Sequence, residues 1–118
     1  MVHEYSVAVV LVQTALRHAG GRPVKVVNLR VGPLRQVVPQ TLALAFELAA
    51  RGTACEDARL EQELVPCRLR CPSCAVEWTA SEPDFRCRTC GWPTVVLSGN
   101  ELQIESIEVE EEVEACTG

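Results

Sequence analysis

The sequence predicts an α+β fold into which a cysteine-rich module is inserted. Three observations carry this expectation. Apolar residues recur at helical spacing in two stretches and alternate along three others. Between residues 67 and 93 both patterns give way to two Cys-x-x-Cys pairs in a background of Arg, Pro, Trp and small polar residues.

The first helix is read from Ser6 onward, where Ala8, Leu11, Val12, Ala15, Leu16 and Ala19 recur every three or four residues until Gly20 and Gly21 end the pattern. The valines at 7, 9, 10 and 12 lower its helix propensity, but the length of the pattern favours a helix over a strand. VKVVNLRVG, from Val24 to Gly32, alternates Val27, Leu29 and Val31 against Asn28 and Arg30, the signature of a half-buried strand. Pro39 suits the first turn of a second helix, with Leu42, Ala45, Phe46 and Ala49 as its apolar stripe and Gly52 as its stop. RLEQELV, residues 59–65, reads as a strand with a polar edge. LQIESIEV, from Leu102 to Val109, is a last strand whose apolar parity switches between Ile104 and Ile107, marking a bulge or twist. Its expected partner is the strand Val24–Val31, so the cysteine module interrupts one domain. The tail EVEEEVEACTG reads as a solvated end.

A chain of 118 residues suits one domain carrying a smaller module, and its core is modest. With a net charge of −5 and an isoelectric point near 5.0, it has no positive field for a phosphate backbone, so no nucleic-acid partner is expected. His3 and Glu4 stand where a signal peptide has its basic residues, and the apolar run from Val7 to Val12 is soon broken by Gln13, Thr14, Arg17 and His18. That run is too short to span a bilayer, and no membrane partner is expected. The expected compartment is a reducing cytoplasm, where clustered thiols serve as ligands rather than bridges.

CPSC and CRTC pair Cys71 with Cys74 and Cys87 with Cys90, and twelve residues separate the second thiol from the third. Two residues between paired cysteines turn both sulfurs to one side of a tight knuckle, and two knuckles supply four thiolates for a tetrahedral zinc ion. Pro72 and Gly91 fit such turns. Iron or an iron cluster is one rival, and a redox dithiol another, although a redox pair opens a helix in a βαβ setting that is missing here. Four thiolates close the coordination sphere, so the zinc expected is structural. Of the remaining thiols, Cys67 is read as a bystander, Cys55 as a small buried hydrophobe and Cys116 as a free thiol in the tail. Trp78, Phe85 and Trp92 are expected to cover the module or pack it.

His3 and Glu4 precede the first helix directly. A free α-amine, backbone amides and a nearby imidazole close fused chelate rings about a metal, and such an all-nitrogen square-planar set favours Ni(II) or Cu(II). His18, in the last turn of the first helix, is read as a cation facing the helix dipole and not as a ligand.

His-Glu before a first helix, a strand running into VGPLRQVVPQTLALAFELAARGT, the CPSC and CRTC pairs, and a closing GNELQIESIEVE together resemble the HypA family of nickel metallochaperones in NiFe-hydrogenase maturation. The resemblance runs from about Met1 to Glu110. It implies a nickel-binding α+β domain of two helices and a three-stranded sheet, residues 1–66 and 94–118, and an inserted zinc-ribbon-like domain, residues 67–93. His3 becomes the imidazole ligand for Ni2+ as cargo. Glu4 supplies its backbone amide and a carboxylate beside the metal. Cys71, Cys74, Cys87 and Cys90 become the ligands of structural Zn2+. The implied partners are a HypB-type GTPase and the hydrogenase large subunit or its maturation complex.

In one respect the sequence departs from the family, whose members open Met-His-Glu where this chain opens Met-Val-His-Glu. The coordinating amine therefore belongs to Val2 if Met1 is removed or foreign, and to Met1 if it stays. No nucleotide-binding loop, nucleophile with a neighbouring base or catalytic carboxylate pair is visible, so no enzymatic activity is expected. The alternative reading is a zinc ribbon that binds nucleic acid or a transcription partner; it explains the cysteines but not His3 and Glu4.

Overall fold

A computed structural model of the chain describes residues 4–80 and 85–111. Helix α1, Glu4–Ala19, turns Ala8, Leu11, Val12, Ala15 and Ala19 inward, the spacing read from the sequence. Gly20 and Gly21, at φ 61° and 86°, terminate it in a left-handed conformation that suits residues without a Cβ. Strand β1, Val24–Val31, buries Val24, Val26, Val27, Leu29 and Val31 while Lys25 faces solvent. A single 3₁₀ turn, Pro33–Arg35, follows. Helix α2, Pro39–Ala50, begins at the expected proline and buries Leu42, Ala45, Phe46 and Ala50; Ala49 is only half-buried.

Strand β2, Arg59–Leu64, joins β1 and the last strand, β6 at Leu102–Val109, in a sheet ordered β2-β1-β6. The pairing of β1 with β6 expected across the insertion is therefore present, and Asn28 reinforces it by donating to Ser106 Oγ at 3.0 Å. Partial burial along β6 falls on Leu102, Ile104, Ile107 and Val109, so its parity switches where the sequence switches.

Three further strands escape the sequence pattern: β3 at Cys67–Cys71, β4 at Val76–Ala80 and β5 at Val95–Ser98. They form a second antiparallel sheet ordered β4-β3-β5. In β3 the inward residues are Cys67, Leu69 and Cys71, so the period-two signal is written mostly in cysteine. The register of β3 against β5 shifts between Arg68 and Leu69, which leaves Leu97 as an extra, bulged residue.

The chain divides into two compact units. The second comprises Arg30–Gln36 and Glu63–Gln103, and the first holds both helices and the greater part of the β2-β1-β6 sheet. The second unit thus reaches beyond the segment 67–93 marked by composition, taking in β5 and the 3₁₀ turn. In the first unit α1 and α2 pack on one another, and Leu29, Leu42, Phe46, Val27 and Cys55 are among its most buried side chains. No helix among the described residues is long and apolar enough to cross a membrane.

Inside the second unit the 3₁₀ turn is tied to the segment after β5. Gly32 N–H donates to the Glu101 carbonyl at 2.8 Å, Leu34 N–H to the Gly99 carbonyl at 2.9 Å, and Arg35 Nε to the Asn100 carbonyl at 2.9 Å. Gly99, at φ 111°, has its own N–H on the Glu101 carboxylate at 2.7 Å. A Cβ on Gly32 would land on the Gly99 backbone, and one on Gly99 would lie 2.6 Å from Cys67 Cα. At Gly52, φ 76°, an added Cβ meets nothing within 4 Å. Gly52→Ala should therefore cost only about 1 kcal/mol for its left-handed backbone, whereas Gly32→Ala should cost about 3 kcal/mol or more by forcing two backbones apart. Chemical denaturation of the two variants tests this, and equal losses would contradict it.

Candidate metal centre

The four-cysteine site grows from two short turns. At the end of β3, Ala75 N–H donates to the Cys71 carbonyl at 2.8 Å and Cys74 N–H to Cys71 Sγ at 3.4 Å. In the second turn Gly91 N–H donates to the Cys87 carbonyl at 2.8 Å, and Thr89 N–H to Cys87 Sγ at 3.4 Å. Each knuckle closes on a left-handed residue directly after its second cysteine, Ala75 at φ 56° and Gly91 at φ 75°. Gly91 was legible as a turn residue. Ala75 was not, because alanine carries no mark of a left-handed conformation; its equivalence to Gly91 within the repeated Cys-x-x-Cys-x pattern was the available clue. The second knuckle is closed further by Cys87 N–H on the Trp92 carbonyl at 2.9 Å and Thr94 N–H on the Phe85 carbonyl at 2.9 Å.

All four predicted cysteines come together: the sulfurs of Cys71, Cys74, Cys87 and Cys90 lie within 4.8 Å of one another, and those of Cys71 and Cys90 are 3.5 Å apart. A tetrahedral zinc–thiolate centre needs sulfurs about 3.8 Å apart, so the donor set fits such an ion. The electrostatics point the same way. The Cys87 thiol is drawn down to about 6, first by the Cys90 backbone N–H and then by that of Thr89. The Cys74 thiol is pushed up to about 12, first by its hydrogen bond with the Cys90 side chain and then by desolvation. One thiol is prepared for ionisation and its neighbour resists it, so a full set of thiolates requires a cation among them.

The other cysteines stay apart from this group. Cys67 is buried on β3, its sulfur beside Gly99, and is not part of the cluster. Cys55 is fully buried, and burial pushes its thiol up, as befits a small apolar residue. Cys116 lies outside the described residues. The expectation that the aromatics cover the module is corrected: Trp92 is 62% exposed and Phe85 41%, and only Trp78, opposite Leu69 on β3, is half-buried.

His3 and the amines of Met1 and Val2 lie outside the described residues, and Glu4 is the first residue of α1. Its carboxylate accepts a hydrogen bond from Val38 N–H at 3.4 Å, at the residue that precedes α2. Val38 has no capping side chain of its own, so Glu4 brings a negative charge to the positive end of the second helix. The sequence reading put Glu4 just before the first helix; the structure makes it that helix's first residue and sets its carboxylate against the start of α2. His18 is exposed on α1 and lines, with Thr14, Glu105 and Ser106, a shallow hollow of about 370 Å³.

A family described as "Hydrogenase/urease nickel incorporation, metallochaperone, hypA" matches residues 2–109. The chain belongs to the HypA family. It is 45% identical over 116 residues to the hydrogenase maturation factor HypA of Streptomyces avermitilis, covering 93% of this chain and 88% of that one. To the factor of the same name from Desulfosudis oleivorans it is 41% identical over 118 residues, covering 93% and 100%. Among solved structures, that of the Ni metallochaperone HypA from Helicobacter pylori matches with a TM-score of 0.68 at 25% identity, over 94% of this chain and 100% of that one. A second HypA solution structure matches with a TM-score of 0.70, also at 25% identity, over 93% and 98%. HypA membership accounts for the α+β architecture and the four-cysteine group together.

Replacing Cys87 with Ser removes the thiol most ready to ionise. Metal bound at the site should be lost, and Trp78 emission should shift to the red as the knuckle opens, while Trp92, already exposed, changes little. Full metal retention with unchanged fluorescence would contradict the ligand set. Because binding must displace protons, above all from Cys74, metal affinity should fall steadily on acidification.

Proposed function

We propose that the protein binds Ni(II) at its N-terminus and hands it on during NiFe-hydrogenase maturation, with a structural zinc ion on Cys71, Cys74, Cys87 and Cys90. The observation that carries this reading is the family match from residue 2 to residue 109, which spans the N-terminal end, both helices and the cysteine pairs. A zinc ribbon alone would account for the last of these and leave the rest unexplained.

In this reading nickel is cargo. The α-amine, the backbone amides and the His3 imidazole form its nitrogen plane, and binding releases protons from the amine and amides, so affinity rises with pH. The coordinating amine is that of Val2 where Met1 is removed and that of Met1 where it stays; with Val2 first, His3 stands second. The Glu4 amide then enters the coordination set. Its carboxylate accepts from Val38 N–H, beside the start of α2. Zinc fits the second site because four thiolates suit a d¹⁰ ion and leave no position for water or substrate. We assign nickel binding to residues 1–66 and 94–118, zinc binding to residues 67–93, and the protein to the reducing cytoplasm. Transfer requires a partner that couples metal release to energy, and a HypB-type GTPase is the partner we propose, with the hydrogenase large subunit or its maturation complex as recipient.

His3→Ala should abolish nickel binding while zinc content stays unchanged. An uncleaved N-terminal tag should weaken nickel binding almost as much, because it turns the coordinating amine into an amide. Absorption titrations with nickel and metal analysis by mass spectrometry read both; undiminished nickel binding by His3→Ala defeats the proposal. If Met1 is retained, copper should compete strongly through a histidine-third chelate, in line with the order of divalent-metal affinities.

A further inference from the structure

We propose that Cys90 is the peroxide-sensitive thiol of the four-cysteine centre, the point at which a hydroperoxide opens it, with Cys71 as the resolving partner. The inference rests on reading the cluster as a zinc site and adds a modification site to it.

The four thiols are unequally protected. Cys71 and Cys87, the first cysteines of the two knuckles, are buried; Cys74 is intermediate; Cys90 is exposed. Cys55 and Cys67 are buried too, so Cys90 is the one exposed cysteine among the described residues. The inequality follows from the fold. Cys71 ends a strand whose inward residues it joins, and Cys87 lies inside the hydrogen-bonded ladder formed with Trp92, whereas Cys90 sits on the outer turn between Thr89 and Gly91. Exposed Arg88, two residues before it, adds positive charge to the knuckle. Oxidation by a dissolved peroxide requires access to the sulfur, and exposure singles out this residue among the four.

The neighbouring sulfur determines the product. Cys71 Sγ lies 3.5 Å from Cys90 Sγ, and a disulfide needs a further approach of about 1.5 Å. In the first step the Cys90 thiolate attacks the peroxide: the O–O bond breaks, an S–O bond forms, sulfur is oxidised by two electrons and hydroxide leaves. In the second the Cys71 sulfur attacks the sulfenic sulfur, the S–O bond breaks, the S–S bond forms and a second hydroxide leaves. The product joins the two knuckles and withdraws two of the four thiolates. The remaining pair cannot satisfy a tetrahedral ion, and the site releases it.

The test uses the full zinc-loaded chain, its zinc content measured first, and substoichiometric hydrogen peroxide. Zinc release is followed with a chromogenic chelator, sulfenic acid is trapped with dimedone, and the products are mapped as peptides. The expected result is loss of one zinc with a mass decrease of about 2 Da, a Cys71–Cys90 cross-linked peptide and, with dimedone present, an adduct on Cys90. A thiol reductant should restore zinc binding. A chain without zinc before oxidation fails the metal reading and the proposal together. A chain that holds zinc and then loses it while Cys90 remains a free thiol, or with Cys90 joined to a cysteine other than Cys71, overturns the proposal alone.

Discussion

Four sulfurs held within 4.8 Å of one another are the constraint on which the second unit depends. Half of its buried apolar residues are cysteine: Cys67, Cys71 and Cys87 lie inside with Val31, Val65 and Leu69, and the apolar residues of β5 remain largely exposed. Such a core buries too little aliphatic surface to offset the entropy of ordering so many residues. Four thiolates without a cation repel one another, and four thiols form only weak hydrogen bonds. Metal binding at this place is therefore also folding free energy. The two backbone knuckles make the arrangement possible by aiming N–H groups at Cys71 and Cys87.

Close packing of backbone against backbone holds the rest of that unit. Gly32 and Gly99 are remote in sequence, yet neither has room for a Cβ, and the carbonyl of Gly99 receives Leu34 N–H. Ser98 Oγ adds a bond to the Pro66 carbonyl at 2.8 Å, and Val65 N–H one to the Val31 carbonyl at 2.8 Å. The 3₁₀ turn after β1 and the segment after β5 are stitched together in this way, so the unit takes in chain on both sides of the cysteine pairs.

In the first unit the helices carry the apolar core, and Glu4 gives the N-terminal end a defined partner. A glutamate in the first turn of a helix already complements that helix's dipole. Here it also meets the N–H of Val38, so one carboxylate serves the starts of two helices. That bond ties the residue beside His3 to the body of the unit.

By itself the sequence determined the two helices, the strands at β1, β2 and β6, the pairing of β1 with β6, and the four cysteines as one cluster. Each rests on a local signal: a 3.6-residue or two-residue apolar period, a proline or glycine stop, or a thiol spacing set by the geometry of a tight turn. The tertiary structure alone decided the β4-β3-β5 sheet, the left-handed Ala75, the Glu4–Val38 bond, the Gly32–Gly99 contact and the exposure of Trp92 and Cys90. In β3 cysteine takes inward places that the apolar pattern reserves for aliphatic residues, so no hydrophobic alternation announces the strand. The remaining features depend on which distant segments meet. Residues such as Gly32 and Gly99, or Glu4 and Val38, show their function only when the fold has brought them within reach, and no local spacing along the chain encodes that proximity.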